Sequence, residues 1–292
     1  MKKGRPSRTA EAAAAMRARH FMYESPVIFK DPFALDLTSP AWRRIVVTRP
    51  LRWFVFERLL RGLRRVGAQI LVRSRYAEDV LEQSIAAGTS QYVIVGAGFD
   101  SFALRRRDLE SKVRVFELDH SDTQQIKRER IGRLGLPRNL EFVSVNFEQE
   151  SVANALTRST FDRESPAFFS WLGTTMYLSN SATRQTLEAI AGFAAPGSGL
   201  VFDFLIPDEL LSESEKVSVE KLRRLTQRQG EPLIGALDPK DLSTMFASAG
   251  LEFVEYFTAA QREQRYFAHR DDGLLPPPAS CFAHVRVSKS AG

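Results

Sequence analysis

An apolar run, Tyr92-Val93-Ile94-Val95, ends in Gly96-Ala97-Gly98-Phe99-Asp100, and one helix length later a second run, Val113-Arg114-Val115-Phe116, ends in Glu117-Leu118-Asp119. A strand that closes on Gly-x-Gly and opens a helix, followed by a strand that closes on acid, is how a parallel α/β sheet holds a nucleoside. The glycines let backbone approach the ligand, and the carboxylate accepts from both ribose hydroxyls. Taken alone, Gly96 and Gly98 would mark only a tight turn. The acids change that, because two carboxylates closing an apolar strand are costly unless something uses them. Spacing leaves open whether Glu117 or Asp119 meets the ribose. A dinucleotide fingerprint has a third glycine, but Ser101 stands at that position, which favours S-adenosyl-L-methionine as the cofactor over a dinucleotide.

The rest of the chain is consistent with one large α/β domain carrying additions: 292 residues, 43% of them hydrophobic, can bury a full core. No apolar run approaches the ~18 residues needed to span a bilayer, and the Ala-rich stretch behind the basic start Met1-Lys2-Lys3 is too weakly apolar for a signal segment. A lone Cys281 excludes an internal disulfide and a cysteine-based zinc site, so a cytoplasmic location is expected. The net charge of +6 comes largely from arginines between Arg43 and Arg75 and at Arg105-Arg106-Arg107. They are interleaved with Leu, Trp and Phe at helical spacing. That pattern predicts solvated helix faces rather than a nucleic-acid surface.

From about Arg75 onward, strand-like runs alternate with helical patterns, the signature of successive βα units. The runs are Tyr92–Val95, Val113–Leu118, Leu140–Val145, Ala167–Leu172, Gly199–Leu205, Leu251–Phe257 and Cys281–Val287. The proline-rich segment before the last run predicts that this strand is antiparallel. The expected fold is therefore the Rossmann-like, seven-stranded sheet of class I methyltransferases, mostly parallel, with helices on both faces. Residues 1–74 are expected to form a helical N-terminal cover, with a helix starting at Asp31-Pro32. Residues 75–292 are expected to form the cofactor-binding core, interrupted by a helical insertion at 207–231.

Several of these segments together resemble the leucine carboxyl methyltransferase-like family of adenosylmethionine-dependent enzymes. They are Ser7-Arg8-Thr9-Ala10 with Arg17-Ala18, Asp31-Pro32-Phe33-Ala34, Arg75-Tyr76, Gly96-Ala97-Gly98-Phe99-Asp100 with Arg105, Phe116-Glu117-Leu118-Asp119, Met176-Tyr177-Leu178, and Gly197-Ser198-Gly199 leading to Asp203-Phe204. The resemblance spans roughly residues 7–205. It implies that Asp119 binds the ribose hydroxyls, that the Gly96-Ala97-Gly98 turn takes the methionine part and that Arg75 pairs with the cofactor carboxylate. Asp100 is placed either at the cofactor amine or as a helix cap. Two departures stand out: Asn146-Phe147 replaces the usual Asp-Leu near the adenine, and Trp171-Leu172-Gly173 lacks the acid of the usual Glu-Gly. Asn146 and Phe147 keep the capacity to hydrogen bond and to stack, Trp171 joins the cofactor side of the site, and no acidic role passes to Leu172.

Methyl transfer is an in-line displacement, so alignment and exclusion of water are the main tasks. A carboxylate acceptor needs no base, whereas a hydroxyl acceptor favours one. Among the histidines, His20 and His269 lie in the expected cover segments and are the candidate bases; His120 and His284 read as structural. Tyr177 is a third candidate for the reaction face. No oxygen cage for a metal is evident, so metal-independent O-methylation of a small hydroxyl- or carboxyl-bearing metabolite is expected, without a settled oligomeric state. The competing expectations are a protein carboxyl methyltransferase, a nicotinamide-dependent oxidoreductase, and a non-enzymatic protein that lies on membranes through Leu51–Leu63.

Overall fold

The computed structural model describes residues 8–228 and 230–288; the basic start of the chain, with Ser7, lies outside the described residues. Seven strands form one sheet: β1 (Gln91–Val95), β2 (Arg114–Asp119), β3 (Leu140–Ser144), β4 (Ala167–Trp171), β5 (Gly199–Leu205), β6 (Leu251–Phe257) and β7 (Ser280–Val287). Their order is β3-β2-β1-β4-β5-β7-β6. Strands β1 to β5 pair in parallel, and β7 runs antiparallel to both of its neighbours. All seven expected strands are present within a residue or two, and the fold is that of class I methyltransferases.

Each face of the sheet is covered, as parallel strands require. On one face Val93, Val95, Phe116, Phe169, Trp171 and Phe202 pack under Leu187 and Ile190 of the Asn180–Phe193 helix. On the other, Tyr92, Ile94, Val115, Phe168 and Val201 pack under Leu71, Val72, Tyr76 and Val80 of the Arg64–Ala86 helix. This second helix is 23 residues long and runs unbroken through residues 74 and 75.

The chain order reverses between β1 and β4, and ligands of open α/β sheets bind in the crevice at such a point. The first helix, Arg8–Tyr23, lies across it: Ala14 packs with Phe99, Leu104 and Ile131. Asp31-Pro32 does not open a helix. Residues 31–37 form successive turns, and the buried Asp31 carboxylate faces Arg17, whose Nε donates to Oδ2 at 2.8 Å, while Oδ1 accepts no backbone amide. The cap in this region is Ser39, whose side chain accepts from Trp42 N at the start of Pro40–Val47.

The π-helical stretch Trp53–Leu59 turns Phe56 inward against Ala15, Ala18 and Val46, leaving Trp53, Phe54 and Leu59 exposed. It lines a hollow with Met16, His20, Leu71 and Leu274, separate from the glycine turn. After β5, the Glu213–Arg228 helix forms the insertion. The segment after it is pinned back on the sheet edge, with Ile234 N and Gly235 N donating to Met176 O and Leu237 N to Leu205 O. No helix among the described residues is long and apolar enough to cross a membrane.

Candidate active site

The glycine turn leaves β1 at the switch point with Gly96 at φ 71° and Gly98 at φ 50°. Both values lie in the left-handed region that glycine adopts without strain. Space is the second constraint. A Cβ on Gly96 would lie 2.9 Å from Thr174 Cγ2, and one on Gly98 would lie 3.1 Å from Cβ of Ala10 on the first helix. Asp119 closes the turn from β2: its Oδ2 accepts from Gly98 N at 2.6 Å and its Oδ1 from His120 N at 2.7 Å. Asp100 Oδ1 accepts from Phe102 N at 2.7 Å, just ahead of the short helix whose N-cap is Ser101, and Asp100 also lines the hollow above the turn.

The two acids of β2 separate into different tasks. Glu117 is 1% exposed and paired with Lys127, itself 1% exposed, on the Ser121–Ile131 helix. Burial pushes its carboxyl up to about 7 against the opposing pull of Lys127. Glu117 is thus committed to holding that helix on the sheet and does not face the crevice. Asp119 keeps partial access at the strand end; burial raises its pKa, and the Gly98 and His120 amides oppose that rise.

A hollow opens above the turn, lined by Ala10, Ala13, Arg17, Arg73, Ser74, Gly96, Ala97, Gly98, Asp100, Ser170 and Leu172. Arg75 is not part of it. Its half-exposed guanidinium bonds Asp79 one turn further along the helix, at 2.8 Å. Arg73 points inward instead. The signal for that was present in the sequence, since Arg73 shares an i, i+4 row with Gln69, Ala77 and Leu81, all buried. Arg73 Nη1 lies 3.8 Å from Asp203 Oδ2, and a Cβ on Gly173 would fall 2.2 Å from that nitrogen. The guanidinium therefore rests directly on the Gly173 backbone.

Arg17, in the sequence only one member of the Arg17-Ala18 motif, fastens the cover to the turn. Its Nε donates to Asp31 Oδ2 at 2.8 Å and its Nη2 to Phe99 O at 2.6 Å. Arg105 repeats the device beneath the turn, gripping Glu78 with both terminal nitrogens.

Trp171 is displaced from its expected place. In β4 the side chains alternate, so Ala167, Phe169 and Trp171 enter the core while Phe168, Ser170 and Leu172 face the other side. Trp171 is 3% exposed and packs on Phe202 at 6.1 Å between ring centroids. Asn146 Oδ1 accepts from Glu148 N in a turn after β3, and Phe147 is 43% exposed beside it. Both lie at the C-terminal end of the sheet.

Neither candidate base reaches the hollow. His20 is buried with both ring nitrogens engaged, Nδ1 with Glu24 at 2.6 Å and Nε2 accepting from Ile28 N at 2.8 Å, so its lone pair is already used. His269 sits on an exposed turn and lines neither hollow. His120 caps the Ser121–Ile131 helix, and His284 lies inside β7. Tyr177 lies on the loop after β4. Its phenol is pushed up to about 12, first by burial and then by Glu231, with Arg73 opposing.

The fold, the glycine turn at the switch point and the acid closing it define a class I methyltransferase. The family model described as leucine carboxyl methyltransferase matches residues 10–191, and the chain belongs to this family of S-adenosylmethionine-dependent methyltransferases. Over 293 aligned residues it is 30% identical to the "Putative S-adenosyl-L-methionine-dependent methyltransferase YktD" of Bacillus subtilis (strain 168), covering 94% of this chain and 95% of that one. A similarly named protein of Mycobacterium tuberculosis (strain H37Rv) is 28% identical over 230 residues, 75% of this chain and 72% of its own. Among solved structures, a chain from Thermobifida fusca YX named a putative methyltransferase superposes with a TM-score of 0.62 at 17% identity, covering 99% of this chain and 97% of that one. A DUF574 family protein from Streptomyces avermitilis gives 0.63 at 12%, covering 95% and 97%.

Proposed function

We propose that the chain transfers the methyl group of S-adenosylmethionine to an oxygen of a small metabolite bearing a hydroxyl or carboxyl group. The observation that carries this reading is the cover on the site: the first helix lies over the glycine turn at Ala10 and Ala13, so the half-open hollow there is a recess rather than a broad docking face. When bound, the cofactor supplies a methyl group on a sulfonium, which is displaced in line by the acceptor oxygen. The residues present fit it. Gly96 and Gly98, on either side of Ala97, offer backbone that carries no Cβ, and Asp119 offers a carboxylate to the ribose hydroxyls. Arg73, in place of Arg75, offers a fork to the amino-acid carboxylate. Asn146 and Phe147 flank the adenine.

The cover acts as a lid. Arg17 fixes it to the Phe99 carbonyl, and closing it excludes the water that would otherwise compete with the acceptor. Tyr177 orients the acceptor by a hydrogen bond; its raised pKa keeps the phenol protonated, and so a donor, at neutral pH. A protein acceptor would require the lid to stand open. The buried, single Cys281, hydrogen bonded by Tyr256, agrees with a cytoplasmic enzyme.

The test is incubation with methyl-labelled S-adenosylmethionine and a host extract, followed by size fractionation. Label in the low-mass fraction is the expected result; label confined to protein would overturn the small-molecule assignment.

A further inference from the structure

Buried polar atoms normally have hydrogen-bond partners, so those without one call for an explanation. Three such atoms, Thr174 Oγ1, Asp203 Oδ2 and Glu231 Oε2, belong to residues grouped around Tyr177, next to Arg73 of the hollow's lining, which lies 3.8 Å from Asp203. Thr174 meets the donor side, since its Cγ2 is the atom that bars a Cβ from Gly96. One residue back, Gly173 N donates to Asp203 Oδ1 at 2.5 Å. Asp203 is fully buried near the end of β5, with Arg73 at 3.8 Å and no hydrogen bond on Oδ2. Glu231 arrives from the insertion, on the segment pinned to Met176, and its charge acts on the Tyr177 phenol together with that of Asp203.

Two carboxylates and a hydroxyl thus stand around Tyr177 with unused acceptor capacity; among the described residues Arg73 is the one cation in ion-pair reach of them, and Arg262 feels the charge of Asp203 from further away. Leu172 contributes no acid to the hollow; Glu231, from a different element, places one beside Tyr177. We propose that Thr174, Asp203 and Glu231 form the acceptor subsite, and that it selects a hydrogen-bond-donating hydroxyl over a carboxylate. This rests on the cofactor reading above, in which Arg73 is drawn to the amino-acid carboxylate. With that charge engaged, neither carboxylate keeps an ion-pair partner among the described residues. They repel a third, and they accept from an O–H, which also satisfies an otherwise orphaned buried oxygen.

The experiment is calorimetry on the full chain saturated with S-adenosylhomocysteine, titrated with benzyl alcohol and with benzoate. The alcohol is expected to bind about tenfold or more tightly than the carboxylate. In Glu231→Gln, and in the isosteric Asp203→Asn as a second variant, benzoate affinity is expected to rise and the gap to narrow, with homocysteine-ligand affinity of Glu231→Gln unchanged. Equal or tighter binding of benzoate, binding of neither probe, or an unaltered gap in both folded variants would overturn the subsite. Failure of S-adenosylhomocysteine to bind the wild-type chain would instead strike the cofactor reading itself.

Discussion

Replacing Gly96 by alanine separates the site from the fold. At φ 71° an L-residue costs roughly 1–2 kcal/mol. The added Cβ would stand 2.9 Å from Thr174 Cγ2, where carbon atoms prefer about 3.5–4.0 Å, so the Thr174 loop must retreat by more than half an ångström. Gly250 is a matched control. It has φ 75°, but its Cβ would meet only Ala191 Cβ at an ordinary 3.9 Å, far along the chain at the start of β6. Both variants are expected to lose roughly 1–2 kcal/mol, a melting shift of about 2–8 °C for a chain this size. Only Gly96→Ala is expected to lose affinity for S-adenosylhomocysteine, by about tenfold or more, read by calorimetry on samples matched for secondary structure. Equal affinity in Gly96→Ala and wild type would refute the claim that backbone approach at this turn admits the ligand. An equal loss in Gly250→Ala would show that strain alone, not the site, was measured.

Three further outcomes follow from the same geometry. Arg73→Ala is expected to weaken cofactor-analogue binding by about ten- to a hundredfold, while Arg75→Ala, whose partner is Asp79, stays within about twofold; the reverse order would restore Arg75 to the site. Lys127→Ala strands the buried Glu117 and is expected to cost about 3–5 kcal/mol in urea unfolding; a loss below about 1 kcal/mol would contradict a buried pair that holds the helix. His284 is held down to about 4 by burial, with Arg286 adding to the effect. The unfolded chain takes up this proton near 6.5, so stability is complete above that value and falls by up to about 3 kcal/mol as pH drops towards 4. His284→Gln is expected to remove that slope in pH-dependent unfolding, and an unchanged slope would remove His284 as its source.

The strands were legible because each is an apolar, β-branched or aromatic run, bounded in all but β2 by glycine or proline, and tertiary packing had no reason to override it. The glycine turn and Asp119 were legible for a related reason: backbone approach and a strand-end acid leave few residue choices. Side-chain direction was harder. Arg75 and Trp171 are out of phase with the residues that line the crevice, Arg75 by two residues of helix from Arg73 and Trp171 by one residue of strand from Ser170 and Leu172. Both phases were readable from flanking apolar positions. His20 and Asp31 were not, because what occupies them is long-range: a backbone amide from Ile28 and the guanidinium of Arg17. Glu231 carries no local signal at all, since its place depends on how the insertion folds back onto Met176.

The most direct test of the site as a whole is calorimetry with S-adenosylhomocysteine, S-adenosylmethionine and NAD on wild type and Asp119→Ala. Both sulfur ligands are expected to bind wild type and NAD is not, with Asp119→Ala weakening the sulfur ligands by about tenfold or more. Silence with both sulfur ligands, or unchanged affinity in Asp119→Ala, would contradict it.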